Sequence, residues 1–231
     1  MNSFILIGGV VTLISWLVRQ RFQSVMKKIS RVQTRSGLSG KEIAERMLRD
    51  NGIHDVQVIS TRGMLTDHYN PGNKTVNLSQ AVYDERNVTA AAVAAHEVGH
   101  AVQHATSYSF LKFRSAIVPI VSISSRFGPL AIAIGIGMMQ GAMQIGGLVA
   151  TVGLMLFAAS TLFSLITLPV EFDASKRALA WLEDTGLTQG EEHEKAVQGL
   201  RWAAMTYVVA ALTQLAYLIY YLSIFMRARS R

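Results

Sequence analysis

Residues 127–170 read FGPLAIAIGIGMMQGAMQIGGLVATVGLMLFAASTLFSLITLPV, without one charged side chain. At about 1.5 Å of rise per residue, a helix of that length can cross a hydrocarbon core of about 30 Å twice. The run therefore predicts a transmembrane helical hairpin. Its turn is expected near Gln140-Gly141-Ala142-Met143-Gln144-Ile145-Gly146-Gly147, where glycines and amides interrupt the apolar residues. Pro119 and Pro129 are expected to kink the first arm or delay its start.

Working outward, residues 1–18 are also uncharged, and Arg19, Arg21, Lys27, Lys28 and Arg31 follow at once. A cleaved signal peptide carries its positive charge before the apolar stretch and ends at small residues. This segment does neither, and reads as a retained anchor. Residues 202–226 form a last uncharged stretch, bracketed by Arg201 and by Arg227, Arg229 and Arg231. Four spans result. A composition that is 50% hydrophobic, with a mean hydropathy of +0.29, agrees with this, because a soluble core would not need so much apolar surface.

A two-span hairpin returns the chain to the side it left, so the polar regions 19–115 and 169–201 share one face of the membrane. They hold 18 of the 22 Lys and Arg residues, which by the positive-inside rule makes that face cytoplasmic and puts the N-terminus outside. The basic tail 227–231 opposes this count, and the larger number decides. The formal charge of +7 is accounted for by headgroups and topology; with no base-reading motif, nucleic acid is not an expected partner. The absence of cysteine removes thiolate metal sites, disulfides and cysteine nucleophiles, and leaves His, Asp and Glu to hold any metal.

Within the first polar region, residues 40–48 carry apolar side chains at helical spacing, with Ser39 as the expected N-cap. Val56-Gln57-Val58-Ile59 alternates like a strand, and residues 64–78 read as a hairpin around Asn70-Pro71-Gly72-Asn73. A small sheet is expected. Thr89 is the expected cap of a helix that runs through Ala90-Ala91-Ala92-Val93-Ala94-Ala95 to about Ala105.

That helix contains His96-Glu97-Val98-Gly99-His100. Two histidines four residues apart project from one helix face and can grip one ion from adjacent turns. Zinc is the expected metal, and Glu97 is placed to take a proton from zinc-activated water and pass it to a leaving amine. A catalytic zinc needs a third protein ligand and an open position. The segment Ala101-Val102-Gln103-His104-Ala105 lacks the metzincin spacing, and His104, a further turn along the same helix, gives poor tetrahedral geometry. Glu171 is the better candidate, because the membrane hairpin returns it to the face of the histidines. Pro169 would open its helix. On spacing alone, an acidic first turn with no metal role reads equally well.

The segments His96-Glu97-Val98-Gly99-His100-Ala101-Val102-Gln103, Leu65-Thr66-Asp67-His68-Tyr69, Val76-Asn77-Leu78-Ser79 and Glu171-Phe172-Asp173-Ala174-Ser175-Lys176-Arg177-Ala178 together resemble the YugP-type family of bacterial membrane zinc metallopeptidases. The resemblance spans nearly the whole chain. More distantly, the chain is similar to membrane gluzincins, whose third ligand is the Glu of an E-x-x-A-D segment after a transmembrane hairpin. Glu171 and Ala174 match that pattern and Ser175 replaces its Asp, which leaves the ligand in place and opens the question of what supports a metal histidine. Asp173 is the alternative for that task. The resemblance implies peptide-bond hydrolysis at the cytoplasmic membrane.

His68, Tyr69, Tyr83 and Tyr108 are candidates to approach the metal as oxyanion donors, each with a structural role as the default. The strand Thr75-Val76-Asn77-Leu78 is a candidate open edge for an extended peptide. Gly99 is expected to admit a neighbouring backbone to the zinc helix. Gly135, Gly137 and Gly153 permit close helix packing within one chain or in a homo-oligomer. His54 and His193 read as solvated, and Arg126 as snorkelling to the interface.

The sequence thus predicts a mainly α polytopic membrane protein with a small β-sheet and a zincin-like catalytic region. Its expected segments are a transmembrane anchor (1–18), a catalytic region (19–115), a transmembrane hairpin (116–168), a third-ligand segment (169–201), a last span (202–226) and a basic tail (227–231). The expected activity is that of a membrane-embedded zinc metalloendopeptidase with one catalytic zinc on His96, His100 and Glu171, acting on a protein or peptide within the lipid bilayer's reach. Two other readings are a non-catalytic scaffold with structural zinc, and a zinc hydrolase of lipid or another amide.

Overall fold

The computed structural model describes residues 3–141 and 144–230, so Met1, Asn2, Ala142, Met143 and Arg231 lie outside the described residues. Among the described residues there are seven helices and three short strands. In order they are α1 (Ser3–Ile29), α2 (Gly40–Asp50), β1 (Gln57–Thr61), β2 (His68–Asn70), β3 (Thr75–Ser79), the single turn α3 (Gln80–Tyr83), α4 (Val88–Ala105), α5 (Ser109–Gln140), α6 (Gly146–Asp184) and α7 (Glu191–Arg229). Four of them, α1, α5, α6 and α7, are long and apolar enough to cross a membrane.

Each of those four helices outruns its apolar stretch. At 39 residues, α6 and α7 are each about 58 Å long, nearly twice the hydrocarbon thickness. Pro169 opens no new helix: α6 passes through it without a break, so Glu171 sits well inside a helix and not in a first turn where the macrodipole would act. The loss of one donor at Pro169 does not end a helix whose neighbours on both sides favour the conformation. Likewise α5 begins at Ser109 and continues through Pro119 and Pro129, without the delayed start expected of it.

The chain divides into two compact units. One comprises Met1–Leu17, Phe113–Leu168 and Tyr207–Arg231. Here α5 ends at Gln140 and α6 starts at Gly146, and the turn expected between them includes Ala142 and Met143, which lie outside the described residues. A Cβ on Gly135 would strike the Ala150 backbone, and one on Gly153 the Ile132 backbone; Gly137 faces open space and takes no part in this seam. On α7, Tyr217, Leu218, Tyr221 and Phe225 pack against Ile132, Leu154 and Phe157, with the Tyr221 ring edge-on to Phe157 at 5.2 Å.

The other unit comprises Val18–Lys112 and Pro169–Thr206. Its sheet has the order β1-β3-β2, with β1 parallel and β2 antiparallel to β3. Strand β3 is therefore central and buried along its length, and it is not the candidate open edge of the sequence reading. The edges are β1 and β2. Helix α2 starts on a full capping box, in which Ser39 Oγ accepts from the Glu42 amide and Glu42 accepts from the Ser39 amide.

Helix α4 is the centre of this unit. Its small side chains Ala90, Ala91, Ala92, Ala94, Ala95 and Ala101 are all buried, which lets neighbouring elements approach its axis from several sides. The cap is Asn87, whose Oδ1 accepts from the Ala90 amide at 3.0 Å. Thr89, two residues inside, instead donates to the Met26 carbonyl and ties α1 to α4. Asn87→Ala is expected to cost about 1 kcal/mol of stability, and Asn87→Asp to cost much less, as read by thermal unfolding in detergent.

Candidate metal centre

The side chains that matter come from α4 and α6, which cross at Gly99 and Ala174. A Cβ on Gly99 would stand 2.6 Å from the Ala174 carbonyl oxygen, so only glycine permits this approach. The position costs about 1 kcal/mol of helix propensity relative to Ala. On α6, Val170, Glu171, Ala174, Ser175, Ala178 and Leu182 recur at helical spacing and are all buried. The crossing therefore lays Glu171 against the turn of α4 that carries the histidines.

His96, His100 and Glu171 offer ligand atoms that all lie within 4.8 Å of one another, and among the described residues no other group of His, Asp and Glu does so. Glu171 Oε2 stands 3.3 Å from His96 Nε2 and 3.6 Å from His100 Nε2. In a tetrahedral zinc site with bonds of about 2.0–2.1 Å, adjacent ligand atoms are about 3.3–3.4 Å apart. The spacings of Glu171 to the two histidines fit such an ion. Two imidazole nitrogens and one carboxylate oxygen also form a donor set suited to zinc, and three ligands leave a fourth position open.

Both histidines have their far nitrogens engaged. His96 Nδ1 lies 3.1 Å from Ser175 Oγ, and His100 Nδ1 lies 3.0 Å from Gln103 Oε1. Gln103 is fully buried, and its amide nitrogen donates to the Val170 carbonyl and to Asp173 Oδ2, each at 2.8 Å. With both amide protons used, the oxygen faces His100 and accepts from Nδ1–H. That puts a proton on Nδ1 and leaves Nε2, which faces Glu171, as the nitrogen that would bind a metal ion once its own proton is given up. Asp173 in turn accepts from Arg177 at 2.6 Å, and the Arg177 guanidinium lies over the Tyr108 ring.

Thus Asp173 supports a histidine through Gln103, and Ser175 contacts the other one directly. Gln103 is the residue that sequence reasoning missed. Its one signal was position, an amide three residues after His100 on the same helix.

Burial disfavours a charged His100, but its hydrogen bond to Glu171 and the carboxylates of Glu97 and Glu171 outweigh this and raise its pKa above the usual histidine value. The cluster is a place that favours positive charge. Glu97 is only 8% exposed, and its Oε2 accepts from the Tyr69 backbone amide at 3.1 Å.

The other candidates fall outside the cluster. His104 Nδ1 is 2.8 Å from the Tyr69 hydroxyl, and His68 Nδ1 is 2.8 Å from the Thr66 carbonyl. Tyr83 stacks under the Lys41 ammonium. His193 is not simply solvated, since Nδ1 lies 3.1 Å from Thr188 Oγ1.

Fold and site together define a polytopic, mainly helical chain with a His–His–Glu cluster able to hold a metal ion. The chain belongs to the family described as "Putative neutral zinc metallopeptidase", which matches residues 4–226. It is 42% identical over 216 residues to the "Putative membrane protease YugP" of Bacillus subtilis (strain 168), an alignment that covers 94% of this chain and 93% of that protein. No solved structure matches it.

Replacing Gln103 by Leu removes the acceptor that orients His100, and is expected to weaken zinc binding by about 10–100-fold in a chelator competition. Gln103→Glu, which keeps an acceptor oxygen, is expected to lose less.

Proposed function

We propose that this protein is a membrane-integral zinc metalloendopeptidase, with His96, His100 and Glu171 as the zinc ligands and Glu97 as the general base and acid. The observation that carries the reading is the meeting of Glu171, from a distant helix, with the paired Nε2 atoms of an H-E-x-x-H helix at the spacing of zinc ligands. The E-x-x-A segment from Glu171 to Ala174 gives it the character of a gluzincin. In this reading residues 19–115 and 169–201 form the catalytic part, and 1–18, 116–168 and 202–226 the membrane part.

A zinc held by His96, His100 and Glu171 would supply a Lewis acid able to polarise a carbonyl and to acidify water. The rest is done by the protein. Glu97, anchored through one oxygen, takes a proton from the attacking water with the other and delivers it to the departing amine. Ser175 and Gln103 keep the two imidazoles in register, so that the ligand atoms need no rearrangement. A purely structural site would close its coordination and have no use for a buried carboxylate beside it. The basic residues of both polar segments support a cytoplasmic position for the site, in the cytoplasmic membrane.

In detergent-purified protein, Glu97→Gln is expected to retain zinc and lose about 10²–10⁴-fold in hydrolysis of an unfolded protein substrate. His96→Ala and Glu171→Ala are expected to lose both zinc and activity. Metal analysis alongside the assay checks this; wild-type activity in Glu97→Gln would rule the mechanism out.

A further inference from the structure

Glu97 has one protein hydrogen bond, and it comes from the main chain of an edge strand. The Tyr69 amide donates to Glu97 Oε2 at 3.1 Å. Such a bond fixes which oxygen remains for proton transfer. Yet β2 is only three residues long, and it pairs with the sheet on one side alone. The sheet therefore holds this amide from one side only.

The same residue is tied down at its other end. The Tyr69 hydroxyl lies 2.8 Å from His104 Nδ1, with the two rings tilted at 51° and their centroids 5.9 Å apart. His104 follows Glu97 by seven residues, two turns along the same face of α4. Tyr69 is therefore fastened to one helix at two points, by its amide at the candidate base and by its phenol at His104.

We infer that Tyr69 and His104 are a positioning pair that holds Glu97 in place for proton transfer. This rests on the peptidase reading above. His104 acts through Tyr69, Tyr69 acts through its main-chain amide, and neither touches the reacting atoms.

The test uses the full-length protein in detergent. Zinc content, kcat and KM on a quenched-fluorescent unfolded protein, and hydrogen exchange of the peptide spanning Tyr69, are measured for wild type, Tyr69→Phe, His104→Ala, His104→Asn, the Tyr69→Phe/His104→Ala double variant and Glu97→Gln. Tyr69→Phe and His104→Ala should each keep zinc and KM, lose about 10–100-fold in kcat, and speed exchange of the Tyr69 amide. The double variant should be no worse than either single one. Asn places an amide group where imidazole places Nδ1, so His104→Asn should recover most of the rate and of the protection. Unchanged kcat with unchanged exchange overturns the proposal, as does an effect on KM alone or an Asn variant as poor as Ala. Wild type that fails to hydrolyse, or Glu97→Gln that still does, overturns the peptidase reading and this proposal with it. If Glu97→Gln is silent and the pair variants are normal, only the positioning role fails.

Discussion

The approach of α4 to α6 at Gly99 and Ala174 is the contact on which the centre depends. Neither helix contains the whole donor set: α4 supplies two nitrogens four residues apart, and α6 supplies one carboxylate. Side chains of ordinary reach bring these atoms to within 3.3 and 3.6 Å only because the two backbones touch where one lacks a Cβ. A methyl group at position 99 would have to displace main chain, not a flexible side chain, and Glu171 and Ser175 would move with it. The small residues flanking the contact, Ala95, Ala101, Ala174 and Ala178, serve the same end, since each is fully or almost fully buried between elements.

Burying so many polar groups is tolerable because nearly every one is spoken for. A run of hydrogen bonds leads from Arg177 through Asp173 and Gln103 to His100, and a separate bond joins Ser175 to His96. Each buried donor in the run meets an acceptor, which avoids the penalty of about 1–3 kcal/mol for a group left unpaired. The consequence is chemical as well as energetic. Once the Gln103 amide is oriented by Val170 and Asp173, its oxygen holds a proton on His100 Nδ1, and Nε2 is the nitrogen turned toward Glu171. Helices α4 and α6 thus do more than pack; they decide which polar atoms face inward.

The membrane spans were legible because absence of charge over a bilayer's width is a strong constraint, and the capping box at Ser39 because both of its partners are local. Other features depend on tertiary context that pattern does not carry. Asn87 and Thr89 are both good capping residues, and what decides between them is that the Thr89 hydroxyl has the Met26 carbonyl to bond. The hairpin signal around residue 71 gave β2 and β3 correctly as neighbours but not that β1 joins the far side of β3 and makes it central. Pro169 looked like a start because sequence rules weigh one residue, whereas the helix on either side of it continues. At the site itself, the H-E-x-x-H spacing pointed to His96 and His100, Glu171 was left open by spacing and singled out by the resemblance, and Gln103 was not readable, since its importance comes from Val170 and Asp173 on another helix.

The central claim is that two imidazoles of α4 and one carboxylate of α6 form the ligand set of a single zinc. X-ray absorption at the zinc edge of the purified, zinc-loaded protein tests it most directly. The account predicts two imidazole nitrogens with oxygen ligands completing the sphere, all at about 2.0–2.2 Å, and loss of this signature in Glu171→Ala. A third imidazole in the sphere, or an unchanged spectrum in that variant, would contradict it.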